Sequence, residues 1–319
     1  MFAKEDFDIL LEHWQWDHVI ELILGSEPKL LKIYPLSSVE QKELDSFLEE
    51  NLHTEQIHPS KSPMATPVFF IKKKDSLFWL VQDYHVLNSM MVKNKYSLPL
   101  ISELMFQLHR AKYFTKLNVR WGFNNVCIKP GDEWKTAFWT NRGMFKPLVM
   151  FFGMTNSLAT FQTIINNIFR DLIAEGIMVV YLYNILIFTR TEEEHTKAIQ
   201  QVLQVLQENK LLLCLEKCEF CKEQIKYLGL VISENEVSID LVKIAGVWEW
   251  PTLENKTNVQ AFLGFVNFYQ RFIQDFSAKA QSLFDLTCSE QVWMWSGKEQ
   301  VAFEDLKTAV TTAPVLTSS

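Results

Sequence analysis

Arginine is scarce in this chain. Of its 31 basic residues only 6 are Arg, leaving 25 Lys. Glycine, at 10 of 319 residues, runs at about half its usual share of roughly 7%. Cysteine is sparse as well: five thiols over this length exclude a disulfide-stapled secreted scaffold and point to a reducing compartment. No apolar run reaches the roughly 18 residues of a membrane span. The opening MFAKEDFDILLEHW is acidic and lacks the apolar segment of a signal peptide, so an intracellular chain, cytoplasmic or nuclear, without a membrane anchor is expected. Nor is there a basic excess. A net charge of −7 speaks against a dedicated nucleic-acid binder, because phosphate recognition leaves a positive balance.

What is present is an ordinary globular pattern. Hydrophobic residues make up 48% of the chain, enough for a large core and for two or three domains. SSVEQKELDSFLEENLH opens with a capping box, Ser37 to Glu40, and carries Leu44, Phe47 and Leu48 on one face, which predicts a helix. TPVFFIKKK and LFWLVQDY are strands parted by a turn at Asp75-Ser76, and NSLATFQTIINNIFRDLIA reads as one long helix from Asn156. VVYLYNILIF, residues 179–188, predicts two apolar strands folded back around a Tyr-Asn turn, where Asn184 would tolerate positive φ. TEEEHTKAIQQVLQVLQENK has a second capping box, Thr191 to Glu194, and a stripe of Ile199, Val202, Leu203 and Leu206. IKYLGLVIS reads as a strand, while NVQAFLGFVNFYQRFI and KEQVAFEDLKTAV read as helices. Strands and helices mixed in this order predict an α+β domain, an antiparallel sheet backed by helices, followed by a helical tail.

SPMATPVFFIKKKD, QDYHVLN, KYSLPLISELMFQL, AKYFTKLNVRWGFNNV, KTAFWTNRG, LVMFFGMTNSLATFQ, VVYLYNILIF, IKYLGLVIS, VQAFLGFVNFYQRFI and AFEDLKTAVTTAPVL, in this order and nearly without gaps, resemble the reverse transcriptase region of a gypsy-type LTR retrotransposon polyprotein, most like the branch common in fungi. The resemblance covers about residues 16–316. It implies a right-hand polymerase: an N-terminal extension over 1–36, fingers and palm over 37–233, a thumb-like helical region over 234–289, and the start of a truncated connection or RNase H-like region over 290–319.

In that family three Asp carboxylates, one ending a palm strand and two at a hairpin tip, hold the two Mg²⁺ ions of polymerisation. The matching positions here are Asn118, Tyr183 and Asn184. Two amides and a neutral phenol supply no anionic ligand, so Mg²⁺ is not expected to bind well and no polymerisation is expected. Asp132 and Glu133, in a loop between strands, give no sign of substituting. The resemblance also places nucleotide-binding positions at Lys73, Trp79, His85, Phe123 and Gly153, with Trp79 and His85 standing where the family has Arg, and the primer grip at Leu228 and Gly229. Phe123, Leu228 and Gly229 are read equally well as core and turn residues. The partner implied is an RNA or DNA primer–template, bound weakly.

The departures share a direction. His53, His58, His109, Trp139, Cys127, Gln56 and Gln270 also stand where the family has Arg, while Leu158, Leu215, Leu241, Ser38 and Ser97 stand where it has Pro. Each is one C-to-T change on one DNA strand or the other, although Tyr183 requires a transversion. A copy eroded by cytosine deamination is therefore expected to show the same C-to-T and G-to-A bias at silent positions of its gene. A balanced spectrum there would favour the alternative, a domesticated non-catalytic protein that binds nucleic acid or a partner through the polymerase scaffold. One further motif, CLEKCEFC, spaces Cys214, Cys218 and Cys221 like an iron–sulfur triad. No Gly-rich barrel accompanies it, so these thiols are read as buried or incidental.

Overall fold

The computed structural model describes residues 13–72, 78–96, 99, 107–108, 111–120, 122–288 and 291–313, and the backbone of 316–317. The Asp75-Ser76 turn, Lys73, Ser97 and His109 lie outside the described residues. The strands in chain order are β1 (Ile57–Pro59), β2 (Thr66–Lys72), β3 (Phe78–Gln82), β4 (Tyr113–Asn118), β5 (Phe138–Thr140), β6 (Gly143–Pro147) and β7 (Met178–Tyr181). They continue with β8 (Asn184–Thr189), β9 (Glu219–Lys222), β10 (Gln224–Tyr227), β11 (Leu230–Ser233), β12 (Glu236–Ile239) and β13 (Leu316–Thr317). Among the described residues these strands make three sheets, ordered β1-β6-β5-β2-β3, β7-β8-β4-β9 and β10-β11-β12-β13. The described residues form two compact units. One draws on the segments Met1–Leu104, Lys116–Ile187 and Thr196–Cys218, and the other on Met105–Thr115, Phe188–His195 and Glu219–Ser319.

In the first unit, the helix Ser38–His53 starts at the capping box Ser37/Glu40 and turns Leu44 and Leu48 onto the five-stranded sheet. There they meet Ile57, Val68, Leu80, Phe138 and Phe145, with Phe47 and Phe70 at the margin. The long helix expected from Asn156 is two: Ser157–Ile168, then Arg170–Ala174, parted at Phe169. Phe169 is fully buried, and no Gly or Pro marks the break. Asn156 does not cap with its side chain. Its amide instead joins two loops, donating to Val92 O and accepting from Asn94 N–H.

In the second unit, IKYLGLVIS is not one strand but a hairpin. β10 pairs antiparallel with β11 through Tyr227↔Leu230, and Leu228 and Gly229 between them take φ of 50° and 83°. Two consecutive positive φ angles are the demand of a type I′ turn, which Gly229 meets and Leu228 adopts under strain. A Cβ on Gly229 would lie 3.2 Å from Tyr269 Oη. Gly229→Ala is therefore expected to lower unfolding free energy by about 1–2 kcal/mol, read by urea denaturation. The helices Lys256–Asn267, Phe276–Thr287 and Gly297–Thr311 bury Phe262, Leu283 and Phe303, the two Phe rings meeting edge-on with centroids 4.7 Å apart. Among the described residues no helix is long and apolar enough to cross a membrane.

Candidate active site

β7 and β8 form the hairpin read from VVYLYNILIF, but its tip is one residue earlier than the sequence implies. Tyr181 pairs with Asn184, so Leu182 and Tyr183 are the two loop residues and Asn184 opens β8. The positive φ falls on Leu182, at 53°, not on Asn184. Leu182 accepts this conformation because its backbone is clamped. Its N–H donates to Gln162 Oε1 at 2.7 Å, and Gln162 Nε2 donates to Val180 O at 3.2 Å. Gln162, fully buried on an otherwise apolar helix face, went unnoticed in the sequence; the signal is a lone amide in the buried line of Ala159, Phe161 and Ile165.

β4 runs antiparallel beside β8. Lys112 N–H donates to Thr189 O at one end of the pair, and Val119 N–H to Tyr183 O at the other, at 2.9 and 2.8 Å. This register brings the end of β4 to the start of β8. Asn118 Nδ2 donates to Asn184 Oδ1 at 3.1 Å, with Tyr183 beside them, 37% exposed. The backbone of Asn118 is held further by Cys214 N–H on its carbonyl, at 2.8 Å, and by donation to Cys218 Sγ at 3.4 Å. The three residues are thus gathered where the end of β4 meets the β7–β8 turn, and the side-chain amides of Asn118 and Asn184 share a hydrogen bond. The cluster offers two side-chain amides and a phenol, and no carboxylate.

Asp132 and Glu133 are engaged elsewhere. Asp132 accepts from Ile20 N–H at 2.8 Å and pairs with Lys135 at 2.5 Å, and Glu133 accepts from Gly131 N–H. Their segment is a short 3₁₀ helix, Glu133–Thr136, not an open loop.

Two of the residues matched to nucleotide binding, Trp79 and Phe123, lie on a chain of rings. Trp79, on β3, meets Phe152 edge-on at 4.9 Å; Phe152 meets Phe123 at 5.0 Å, and Phe123 meets Phe161 at 5.7 Å. Phe152, which connects them, was not singled out from the sequence. Phe123 is buried at 4% exposure, while Trp79 and Phe152 are each 39% exposed. His85 is bonded through Nδ1 to Asp83, which also accepts from Tyr34 Oη at 2.8 Å. Partial burial works against ionisation of Asp83, but the hydrogen bonds from His85 and Tyr34 outweigh it and hold the carboxyl below its ordinary range. A fixed anion therefore sits beside the position matched to a phosphate-gripping Arg. Gly153 has φ +100° and faces Gln82 O and Tyr84, and its carbonyl accepts from Asn88 Nδ2 at 2.8 Å. Lys73 and Lys74 lie outside the described residues, whereas Lys72 ends β2, exposed. Leu228 and Gly229 form the β10–β11 turn of the second unit.

Of the cysteines in CLEKCEFC, Cys214 is buried, Cys218 half-buried and Cys221 exposed, and none of the five cysteines is in a disulfide. Among the described residues the CxxxCxxC set does not gather its sulfurs into one ligand group.

An antiparallel sheet carrying a hairpin, whose tip meets the end of a neighbouring strand, is the palm of a right-hand polymerase. Residues 71–232 match the family described as reverse transcriptase (RNA-dependent DNA polymerase), and the chain belongs to it. It is 34% identical over 286 residues to the Transposon Tf2-7 and Tf2-8 polyproteins of Schizosaccharomyces pombe, a match covering 90% of this chain and 21% of each relative. The chain thus spans about a fifth of the length of those relatives. The gypsy-type retrotransposon resemblance drawn from the motifs agrees with them. Among solved structures, the fold matches a foamy viral protease-reverse transcriptase in complex with RNA/DNA hybrid, at TM-score 0.76, 20% identity, and coverage of 97% of this chain and 43% of that one. A form of that protein in complex with double-stranded DNA matches at TM-score 0.78 and 20% identity, covering 96% of this chain and 55% of that one.

Proposed function

We propose that this chain is a retrotransposon-derived reverse transcriptase domain that keeps the polymerase scaffold without its chemistry. Its fingers and palm are assigned to 37–233, its thumb to 234–289 and the start of a connection region to 290–319. The observation that carries the reading is the hydrogen bond from Asn118 Nδ2 to Asn184 Oδ1, 3.1 Å long, where the family resemblance expects carboxylates around two Mg²⁺ ions. The arrangement favours hydrogen bonding between neutral groups and offers no negative charge to two divalent ions. In the nucleotide region, the Trp79–Phe152 contact and the His85–Asp83 pair replace a cationic grip with an apolar surface and an anion. Arg binds phosphate through a planar fork that neither residue supplies.

What remains for a partner is weak electrostatic contact with RNA or DNA primer–template through Lys72 and its lysine neighbours. The solved relatives are bound to such duplexes, which supports the choice of partner. The test is a primer-extension assay on RNA and DNA templates with Mg²⁺ or Mn²⁺, run beside a binding titration. No extension is expected, and binding should weaken steeply as salt rises, because counterion release supplies its drive. Template-dependent incorporation, absent from a mock purification, would overturn the reading.

A further inference from the structure

The segment around His13–Ile20 is strapped by its backbone along residues 127–129. His18 N–H donates to Cys127 O at 2.8 Å, Lys129 N–H to His18 O at 2.9 Å, and His18 bridges Ile128 in parallel register. This lacing sets Asp17 and His13 beside Cys127. His13 Nδ1 lies 2.5 Å from Asp17 Oδ2, and the ligand atoms of His13, Asp17 and Cys127 all lie within 4.8 Å of one another. All three belong to the first unit, and none takes part in the cluster of Asn118, Tyr183 and Asn184.

We propose that His13, Asp17 and Cys127 form a site for a zinc-class divalent ion, with a fourth position open to water. The donor set decides the metal. One imidazole nitrogen, one carboxylate oxygen and one sulfur suit borderline-soft Zn²⁺ and disfavour Mg²⁺ or Ca²⁺, which take oxygen. On coordination the thiol passes its proton to solvent, so the set then carries two negative charges against a dication. Four-coordinate zinc, with bonds of about 2.0–2.3 Å, sets its ligand atoms about 3.3–3.8 Å apart. To reach that spacing the His13–Asp17 pair, 2.5 Å apart, opens, and Cys127, whose sulfur is within 4.8 Å of both, needs to close in by no more than about 1 Å. Side-chain exposure falls from 51% at His13 to 7% at Asp17, and Cys127 is 1% exposed. The ion therefore enters from the His13 side and displaces a hydrogen bond that is open to water.

The test uses the full chain, freed of metal by chelation, with Co²⁺ as a spectroscopic probe and Zn²⁺ as competitor. One equivalent of Co²⁺ is expected to give the thiolate-to-cobalt charge-transfer band and the intense visible bands of a four-coordinate site, and Zn²⁺ should abolish them. His13→Ala and Asp17→Asn should each weaken binding at least tenfold, and Cys127→Ser should remove the charge-transfer band. Cys127 packs in the core, so if Cys127→Ser fails to fold, the half-exposed His13→Ala decides. Cys214→Ser and Cys221→Ser should leave the bands unchanged. Absence of the bands, their survival in His13→Ala, or their loss in Cys214→Ser or Cys221→Ser would each overturn the proposal; the last would assign the metal to the CxxxCxxC set.

Discussion

Replacing Asn118, Tyr183 and Asn184 together by Asp is expected to recover little polymerase activity, and adding Trp79→Arg and His85→Arg is expected to be required for substantial extension. The need for all three carboxylates rests on electrostatics. Each well-placed partner for developing charge is worth about 10²–10³ in rate, and the members of one site act as a unit, so restoring any one alone gains almost nothing. Restoring all three returns the anionic seat at a strand end whose geometry is already held: Gln162 clamps the tip backbone, and Cys214 and Cys218 fix the end of β4. The need for the two Arg replacements rests on what the incoming triphosphate would meet. Trp79 presents a ring packed against Phe152, and His85 is bonded to an ionised Asp83. With metal bound but the phosphates ungripped, positioning fails, and positioning supplies much of a phosphoryl-transfer rate. Single-turnover incorporation by the triple and quintuple variants checks this. Substantial extension by the triple variant alone would show that Trp79 and His85 are tolerated. A thermal shift on adding Mg²⁺ to the triple variant, absent from the unaltered chain, would separate metal binding from turnover.

The largest pH effect on stability is expected from His18. The residue is fully buried, with Nδ1 2.9 Å from Thr160 Oγ1 and no hydrogen-bond partner at Nε2. Burial pushes its pKa from 6.5 down to about 4, against a smaller upward pull from Asp132. Below pH 6.5 the unfolded chain takes up a proton that the folded chain refuses until about pH 4. The stability linked to this group is therefore complete above 6.5 and is lost progressively as pH falls through that window. At pH 4.5 the loss is about 2–3 kcal/mol. It is read as the difference in urea-derived unfolding free energy between the unaltered chain and His18→Gln, which cannot take the proton; carboxylates titrating in the same range cancel in that difference. Equal slopes in the two proteins would refute it. His195 adds in the same direction, its pKa lowered by burial against a backbone hydrogen bond at Phe114. Its ring lies between Thr115 Oγ1 at 2.8 Å and Thr189 Oγ1 at 3.0 Å. Thr189 spends its hydroxyl proton on Thr191 O, so Nδ1 donates to Thr189 and Nε2 accepts, as a neutral ring requires.

The sequence by itself determined the elements whose signals are local. The helix at Ser38–His53 was legible from its capping box and apolar face, and β7–β8 from two apolar runs, because caps and periodicity act over a few residues. The lack of a carboxylate at Asn118, Tyr183 and Asn184 was equally legible, since it is written in residue identity. Tertiary structure alone decided where those identities meet. The hairpin turn sits at Leu182–Tyr183 because Gln162, twenty residues earlier, holds the Leu182 N–H. The helix after Asn156 breaks at the buried Phe169 with no local breaker in the sequence, and Trp79 is linked to Phe123 through Phe152. The Leu228–Gly229 turn was locally written, since Gly229 follows Leu228 at the middle of IKYLGLVIS, yet two β-favouring halves concealed it. The convergence of His13 and Asp17 on Cys127 depends on backbone hydrogen bonds between segments more than a hundred residues apart. Spacing along the chain carries no information about such closure, because the free energy that selects it comes from burying many side chains at once.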